Sequence, residues 1–79
     1  MDIRLLSRLS YGEKGIIVKI RGQAAVHRYL YKLGLVVGRT ISIEKASLTL
    51  LEEPIEVRVN SRVLSLEKDV AANIQVKVA

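Results

Sequence analysis

Five separate stretches of the chain alternate apolar and polar residues, and this alternation constrains the fold more than any other feature. A period of two places successive side chains on opposite faces of a β-strand. The stretches lie at about residues 16–21, 39–46, 55–60, 64–67 and 73–78. In 79 residues two stacked sheets would be hard to fill, whereas a small closed or nearly closed barrel buries one face of every strand. The sequence therefore predicts a mainly β, five-stranded barrel that forms a single domain over residues 1–79.

Glycine and asparagine mark the ends of several of these strands. The segment from Tyr11 to Gly15 contains two glycines and is typical of a turn. In the strand that follows, Ile16, Val18 and Ile20 are the residues expected to face the core. Asn60-Ser61 is expected to form a hairpin turn.

One short helix is expected between the first and second of the five strands. Four apolar residues recur at the helical spacing i, i+3, i+4 and i+7: Val26, Tyr29, Leu30 and Leu33. Gly34 follows this pattern at the position where a helix usually ends in a left-handed residue, and Leu35 is then placed to pack on the last turn. Gly38 is a second position that permits a tight turn.

The positive charge of the chain is concentrated in its first half. The net charge is +5, of which residues 1–40 carry +6 (eight basic, two acidic) and residues 41–79 carry −1 (five basic, six acidic). Such an electropositive side either favours an acidic partner, which could be nucleic acid, anionic lipid or an acidic protein surface, or serves only solubility, and both interpretations stay open. Arg28 and Lys32 are four residues apart on a polar face of the helix, with Tyr31 beside them.

The composition argues against catalysis and against a strong metal site. The chain has one histidine and no cysteine, whereas ferrous iron sites usually combine imidazole and carboxylate ligands. A site made of carboxylates alone would fall on Glu52, Glu53 and Glu56; a weak site there stays open, although a solvated strand edge is the simpler interpretation. His27 is the only candidate base, and no phosphate-binding loop of the type G-x-x-x-x-G-K-[ST] is present. We therefore expect no cofactor, no catalytic residue and no enzymatic activity.

The hydropathy pattern predicts a cytosolic protein. The longest run without a charged residue, Val70 to Val76, has seven residues and is too short to span a bilayer. The N-terminal residues, which include Arg4 and Arg8, lack the apolar core of a signal peptide.

Three leucines fall in the expected loop at residues 47–54. Leu48, Leu50 and Leu51 would form an exposed apolar patch of the kind that marks contact sites, or would cover the open end of the barrel as part of the core. Both interpretations stay open from the sequence.

Four groups of residues, in order and at matching spacing, resemble the FeoA family of ferrous iron transport proteins. They are Leu9-x-x-Gly12-x-x-Gly15, Leu30-x-x-Leu33-Gly34-Leu35-x-x-Gly38, Pro54-Ile55-x-Val57-x-Val59, and finally Leu66, Ala71, Ile74 and Val76. The resemblance extends over nearly the whole chain. It implies a Src-homology-3-like barrel and a role beside FeoB, the membrane protein that couples a GTP-binding domain to ferrous iron uptake.

From this resemblance we expect a non-enzymatic accessory protein that docks on the cytosolic part of FeoB and modulates its GTP-linked cycle. Arg28, Tyr31 and Lys32 would supply a polar helix face for this contact, and Leu48, Leu50 and Leu51 an apolar one. Two alternatives stay open: a basic module that binds nucleic acid, and a weak sensor of transition-metal ions. Self-association into a homo-oligomer also stays open.

Overall fold

The described part of the chain forms one six-stranded sheet and one nine-residue helix. The computed structural model describes residues 2–46 and 54–79. The strands are β1 (Ile3–Leu5), β2 (Lys14–Ile20), β3 (Thr40–Lys45), β4 (Ile55–Val59), β5 (Arg62–Leu66) and β6 (Ile74–Val78). Helix α1 spans Ala24–Lys32, α2 is a single turn at Lys68–Ala71, and a 3-10 turn covers Leu6–Arg8. Among these helices, none is long and apolar enough to cross a membrane.

All strand pairs are antiparallel, and the strand order is β1-β6-β2-β3-β4-β5. Within residues 2–46 and 54–79, β1 and β5 each pair with a single strand, so the expected closure into a barrel is not seen in these ladders. The expectation of five strands is wrong, because β1 precedes them and pairs with β6. Helix α1 consequently follows the second strand rather than the first.

The core is aliphatic and draws on β2 to β6, the helix and the loops. Its buried members are Leu6, Leu9, Ile17, Leu30, Leu35, Ile41, Ile43, Ile55, Val57, Val59, Leu66, Ala71, Ile74 and Val76. Period-two alternation is clearest in β4, where Ile55, Val57 and Val59 are buried and Arg58 is exposed. Each of these strands therefore presents one apolar face to a shared core, as alternation predicts.

The face of β2 differs from the sequence prediction. Ile17 is fully buried, whereas Ile16, which was expected to face the core, is 45% exposed. The register of β2 against β6 shifts between Ile17 and Lys19, as at a β-bulge, and Ile20 packs partly against the core beyond that point. A bulge inserts an extra residue and changes which side chains face inward, so strict alternation misassigns the residues before it.

Gly15 lies inside β2 rather than in the turn before it. A Cβ atom at this position would lie 2.4 Å from Val76 Cγ1 and 2.5 Å from the backbone oxygen of Lys77. Only glycine fits so close an approach of β6 to β2, and the sequence pattern alone does not distinguish this use of glycine from a turn.

Candidate functional site

Helix α1 ends in a Schellman motif centred on Gly34. The N–H of Leu35 donates to the carbonyl of Leu30 and the N–H of Gly34 donates to the carbonyl of Tyr31, both at 2.9 Å. Gly34 has φ +84°, the left-handed conformation that this motif requires at the residue after the C-cap. From β5, Arg62 Nη2 donates to the carbonyl oxygen of Leu33 at 2.8 Å, which places a cation at the negative end of the helix.

The loop after the helix is fixed at its other end by β2. The N–H of Gly38 donates to the carbonyl of Ile17 at 2.8 Å, and the N–H of Ile17 donates to the carbonyl of Arg39 at 2.9 Å. Together with the Schellman motif at the helix end, these bonds fix both ends of the segment that carries Val36 and Val37. The two valines are therefore positioned by backbone hydrogen bonds and not by their own packing alone.

A groove of about 570 Å³ lies between this loop and the C-terminal half of α1. We call it the helix groove; it is lined by Ile20, His27, Arg28, Tyr31, Lys32, Leu35, Val36 and Val37. Leu35 is fully buried and contributes to the floor, whereas Val37 at 60% and Tyr31 at 73% exposure stand at the rim. The helix groove thus combines an aliphatic floor with polar and cationic side chains above it.

Arg28, Tyr31 and Lys32, the helix residues proposed from the sequence, therefore share one surface. All three are exposed, while Leu30 between them is fully buried. The apolar stripe of α1 is narrower than its spacing suggests, because Tyr29 is 50% exposed. His27 is exposed as well, and its Nε2 lies 3.2 Å from the carbonyl oxygen of Gly22.

The helix groove lies within a segment that has no carboxylate. Residues 14–43 contain six lysine or arginine side chains and no aspartate or glutamate. Two ion pairs join described residues, Arg4 with Glu13 and Arg58 with Glu44, and neither involves Arg28 or Lys32. The cations at the rim of the groove are consequently not neutralised by any ion pair within the described part of the chain.

A second, polar cleft of about 690 Å³ adjoins the helix groove along Val36 and Val37. Two of its cationic residues, Arg58 and Arg39, form hydrogen bonds to other side chains. Arg58 donates from Nε and Nη2 to Glu44 Oε1 at 2.8 and 2.5 Å. Arg39 donates from Nη1 to Asn60 Oδ1 at 3.2 Å. These two cations of the cleft therefore already have partners within the protein. The cleft is for this reason the weaker candidate for an acidic partner.

Glu13 is a structural carboxylate on another part of the surface. The backbone N–H of Ser10 donates to Glu13 Oε1 at 2.7 Å, and the guanidinium of Arg4 forms an ion pair with the same side chain. The Ser10 N–H first, and then the charge of Arg4, lower the pKa of Glu13 below its ordinary value of 4.5. Partial desolvation acts in the opposite direction but does not reverse the shift.

Several residues singled out in the sequence lie outside the described ranges. These are Leu48, Leu50, Leu51, Glu52 and Glu53. Glu56, the remaining carboxylate of that acidic group, is half-buried on β4 opposite Ser65. Over residues 2–46 and 54–79, no group of three or more histidine or acidic side chains comes together as a metal site would require.

The apolar side of the groove was missed from the sequence. Val36 and Val37 lie in an irregular loop, and Ile20 ends a strand whose face is altered by the bulge. No periodicity connects these residues with α1. The one signal in the sequence was the unusual run Leu35-Val36-Val37 directly after a helix-ending glycine, since most such loops are polar.

Comparison with known proteins places the chain in a family. The model of the FeoA domain family matches residues 4–78, almost the full length. Over 73 residues the chain is 29% identical to an Fe(2+) transport protein A/Fe(2+) transporter FeoB fusion protein of Porphyromonas gingivalis. The match covers 92% of this chain but only 8% of that much longer relative.

Solved structures agree with this assignment. A crystal structure of an iron uptake regulatory protein, FeoA, superposes with a TM-score of 0.91 at 27% identity, covering 99% of this chain and 100% of the other. The zinc complex of Stenotrophomonas maltophilia FeoA, described as a prokaryotic SH3 domain protein, gives a TM-score of 0.76 at 24% identity and covers 91% and 87% of the two chains. The second likeness supports an SH3-like fold and nothing beyond the fold. By the family match over residues 4–78, the chain belongs to the FeoA domain family.

Proposed function

We propose that this protein is a non-enzymatic accessory component of ferrous iron uptake, which docks on the cytosolic part of a FeoB transporter and modulates its GTP-linked cycle. The observation that carries the proposal is the helix groove, an aliphatic groove with a cationic rim on a member of the FeoA family. Exposed apolar patches rimmed by polar residues are typical of sites that bind another protein.

The fused relative supports the choice of partner. In the Porphyromonas protein, a region similar to this chain and a FeoB transporter occur in one polypeptide. Covalent linkage keeps two modules at a high effective concentration, so even a weak contact between them is populated. In either arrangement the two modules need surfaces that fit each other, and the helix groove is the candidate on this chain.

The charged and the apolar residues would make different kinds of contact with FeoB. Arg28 and Lys32 would attract and orient an acidic surface, and Tyr31 would add amphipathic contact area between them. Leu48, Leu50 and Leu51, which lie outside the described ranges, remain a predicted second apolar contact. Docking alters the GTP cycle only if this protein binds one nucleotide state of FeoB more tightly than another.

A binding experiment with two readouts tests this proposal. The purified protein is titrated into the isolated cytosolic GTP-binding region of FeoB from the same genome, with GDP or with a non-hydrolysable GTP analogue bound. We expect saturable binding with different affinities in the two states and a corresponding change in the rate of GTP hydrolysis. Absence of binding in both states, with an unchanged hydrolysis rate, would contradict the proposal.

A second candidate function rests on the carboxylate-free segment at residues 14–43. The six cations of this segment could neutralise nucleic-acid phosphates by charge alone. The chain has only three aromatic residues, all tyrosine, so it offers few platforms on which bases could stack. Recovery of RNA with the protein from cells, and a steep loss of RNA affinity with salt, would favour this function over docking on FeoB.

A further inference from the structure

We infer that the helix groove recognises a short acidic segment of its partner and takes up one apolar side chain from that segment. This inference rests on the proposed function, because it states the chemistry by which the same surface would select its partner. It goes further because it names the kind of sequence that binds. It also names an exposed residue, Val37, whose substitution should weaken binding without unfolding the protein.

The shape of the groove supports the uptake of an apolar side chain. Leu35, Val36 and Ile20 line the groove with aliphatic groups, and Lys32 and Tyr31 line it beside them. Val37 is 60% exposed although its neighbour Leu35 is fully buried. An incoming aliphatic side chain would remove Val37 from water, which is favourable in proportion to the apolar area buried.

The charges around the groove determine which charged residues the bound segment should contain. Arg28 and Lys32 are exposed at the rim, and no ion pair with another described residue neutralises them. Residues 14–43 contain no carboxylate, so every charged side chain that this segment brings to the groove is positive. A segment with carboxylates beside its apolar residue would complement both features, whereas a basic segment would be repelled.

The groove is also ordered before any partner arrives. The Schellman motif fixes the end of α1, and the Gly38 N–H to Ile17 carbonyl bond of 2.8 Å fixes the far end of the loop. A preformed groove loses little conformational entropy on binding, so a short segment suffices. The aromatic-lined groove that proline-rich peptides require is absent from this surface, where Tyr31 is the one aromatic residue lining the groove.

Val37 and Val63 provide a matched pair for the test. Both are exposed valines, at 60% and 44%, but Val37 lines the helix groove and Val63 lies on β5 outside it. Replacing either by glutamate changes the net charge equally. Val37→Glu places a carboxylate where the apolar side chain would bind, and Val63→Glu does not.

The probes are overlapping fifteen-residue peptides that cover the cytosolic parts of FeoB, together with the intact cytosolic region. We expect the wild-type protein to bind peptides that combine acidic residues with at least one leucine, isoleucine, methionine or phenylalanine. Val37→Glu should weaken that binding by at least about tenfold, since its carboxylate would replace apolar contact area and repel the acidic segment, while Val63→Glu should change it less than about twofold. Backbone amide shifts in NMR spectra of the wild type should concentrate at residues 27–37.

The outcomes separate this inference from the proposed function. If Val37→Glu binds the intact cytosolic region of FeoB as tightly as Val63→Glu does, the inference fails while docking on FeoB survives. Binding of acidic apolar peptides at residues 27–37 without binding of intact FeoB would support the recognition chemistry and contradict the choice of partner. Selection of basic or wholly polar peptides, or displacement of every peptide by RNA at equal charge, would overturn the inference.

Discussion

At the scale of single residues, Gly34 determines where the helix ends and therefore where the groove begins. Its φ of +84° lies in a region that costs a residue with a Cβ roughly 1–2 kcal/mol. The position was predictable from the sequence, because a glycine directly after the last apolar helical residue commonly marks the left-handed end of a helix.

Gly34→Val should destabilise the protein by about 1–2 kcal/mol. In a domain of this size, that loss corresponds to a decrease in Tm of several degrees. Gly34→Asn is the matched control, since asparagine adopts the left-handed conformation more readily and should cost less. Thermal unfolding followed by circular dichroism measures both variants. Equal Tm values for valine and glycine at this position would contradict the role assigned to Gly34.

Glu13 provides a pH-dependent contribution to stability. Its folded-state pKa is lowered from 4.5, mainly by the Ser10 N–H and then by Arg4. A carboxyl with a lowered folded pKa contributes stability above its unfolded pKa and loses it as the pH falls through the folded pKa. We therefore expect the Tm of the wild type to fall more steeply below about pH 4.5 than that of Glu13→Gln. Parallel Tm curves for the two proteins over pH 3–7 would exclude this contribution.

At the scale of elements, α1 has two faces with different roles. Leu30 is fully buried in the core, whereas Arg28, Tyr31 and Lys32 are exposed beside the groove. This division was largely predictable from the helical period, except for Tyr29, whose large ring is half exposed although its spacing matches the apolar stripe.

Leu30→Ala should destabilise the protein by about 2–5 kcal/mol, because it leaves a cavity in a packed core. The double change Arg28→Glu, Lys32→Glu should alter stability by no more than about 1 kcal/mol, since exposed charges contribute little. Urea unfolding of both variants gives the two free energies. A double variant as unstable as Leu30→Ala would mean that the basic face is part of the folded core structure.

The strands show where prediction from sequence stops. β4 was predictable because its five residues alternate without interruption. β1 was not, because three residues are too few to reveal a period and its order comes from pairing with β6. The face of β2 was misassigned because the bulge depends on the partner strand. The apolar side of the groove was missed for a related reason, since Val36 and Val37 join the helix only through tertiary contacts.

At the scale of the whole molecule, the placement of charge and apolar surface favours binding over chemistry. The carboxylate-free segment at residues 14–43 contains both the helix and the loop that line the groove. The motif spacing was sufficient to suggest the family, because glycines and buried aliphatic residues reflect the backbone path. The helix groove was only half predictable, since it combines a helix face with a loop.

A metal titration tests the whole chain, including Glu52 and Glu53. With one histidine and no cysteine, the protein should bind neither ferrous iron nor zinc with sub-micromolar affinity. Isothermal titration calorimetry under anaerobic conditions is the appropriate measurement. A tight stoichiometric site that disappears when Glu52, Glu53 or Glu56 is replaced would support the metal-sensor alternative instead.

The most direct test compares how two charge-reversed variants bind the cytosolic region of FeoB. Arg28→Glu, Lys32→Glu reverses the rim of the helix groove, and Arg8→Glu, Lys77→Glu makes the same change in net charge at exposed residues that do not line it. Surface plasmon resonance gives the association rates, and the wild-type rate should fall as salt screens the charges over about 8–10 Å. We expect the groove variant alone to bind at least about tenfold more weakly, because it brings like charges together at the interface. Undiminished binding by a fully folded groove variant would contradict docking through the helix groove.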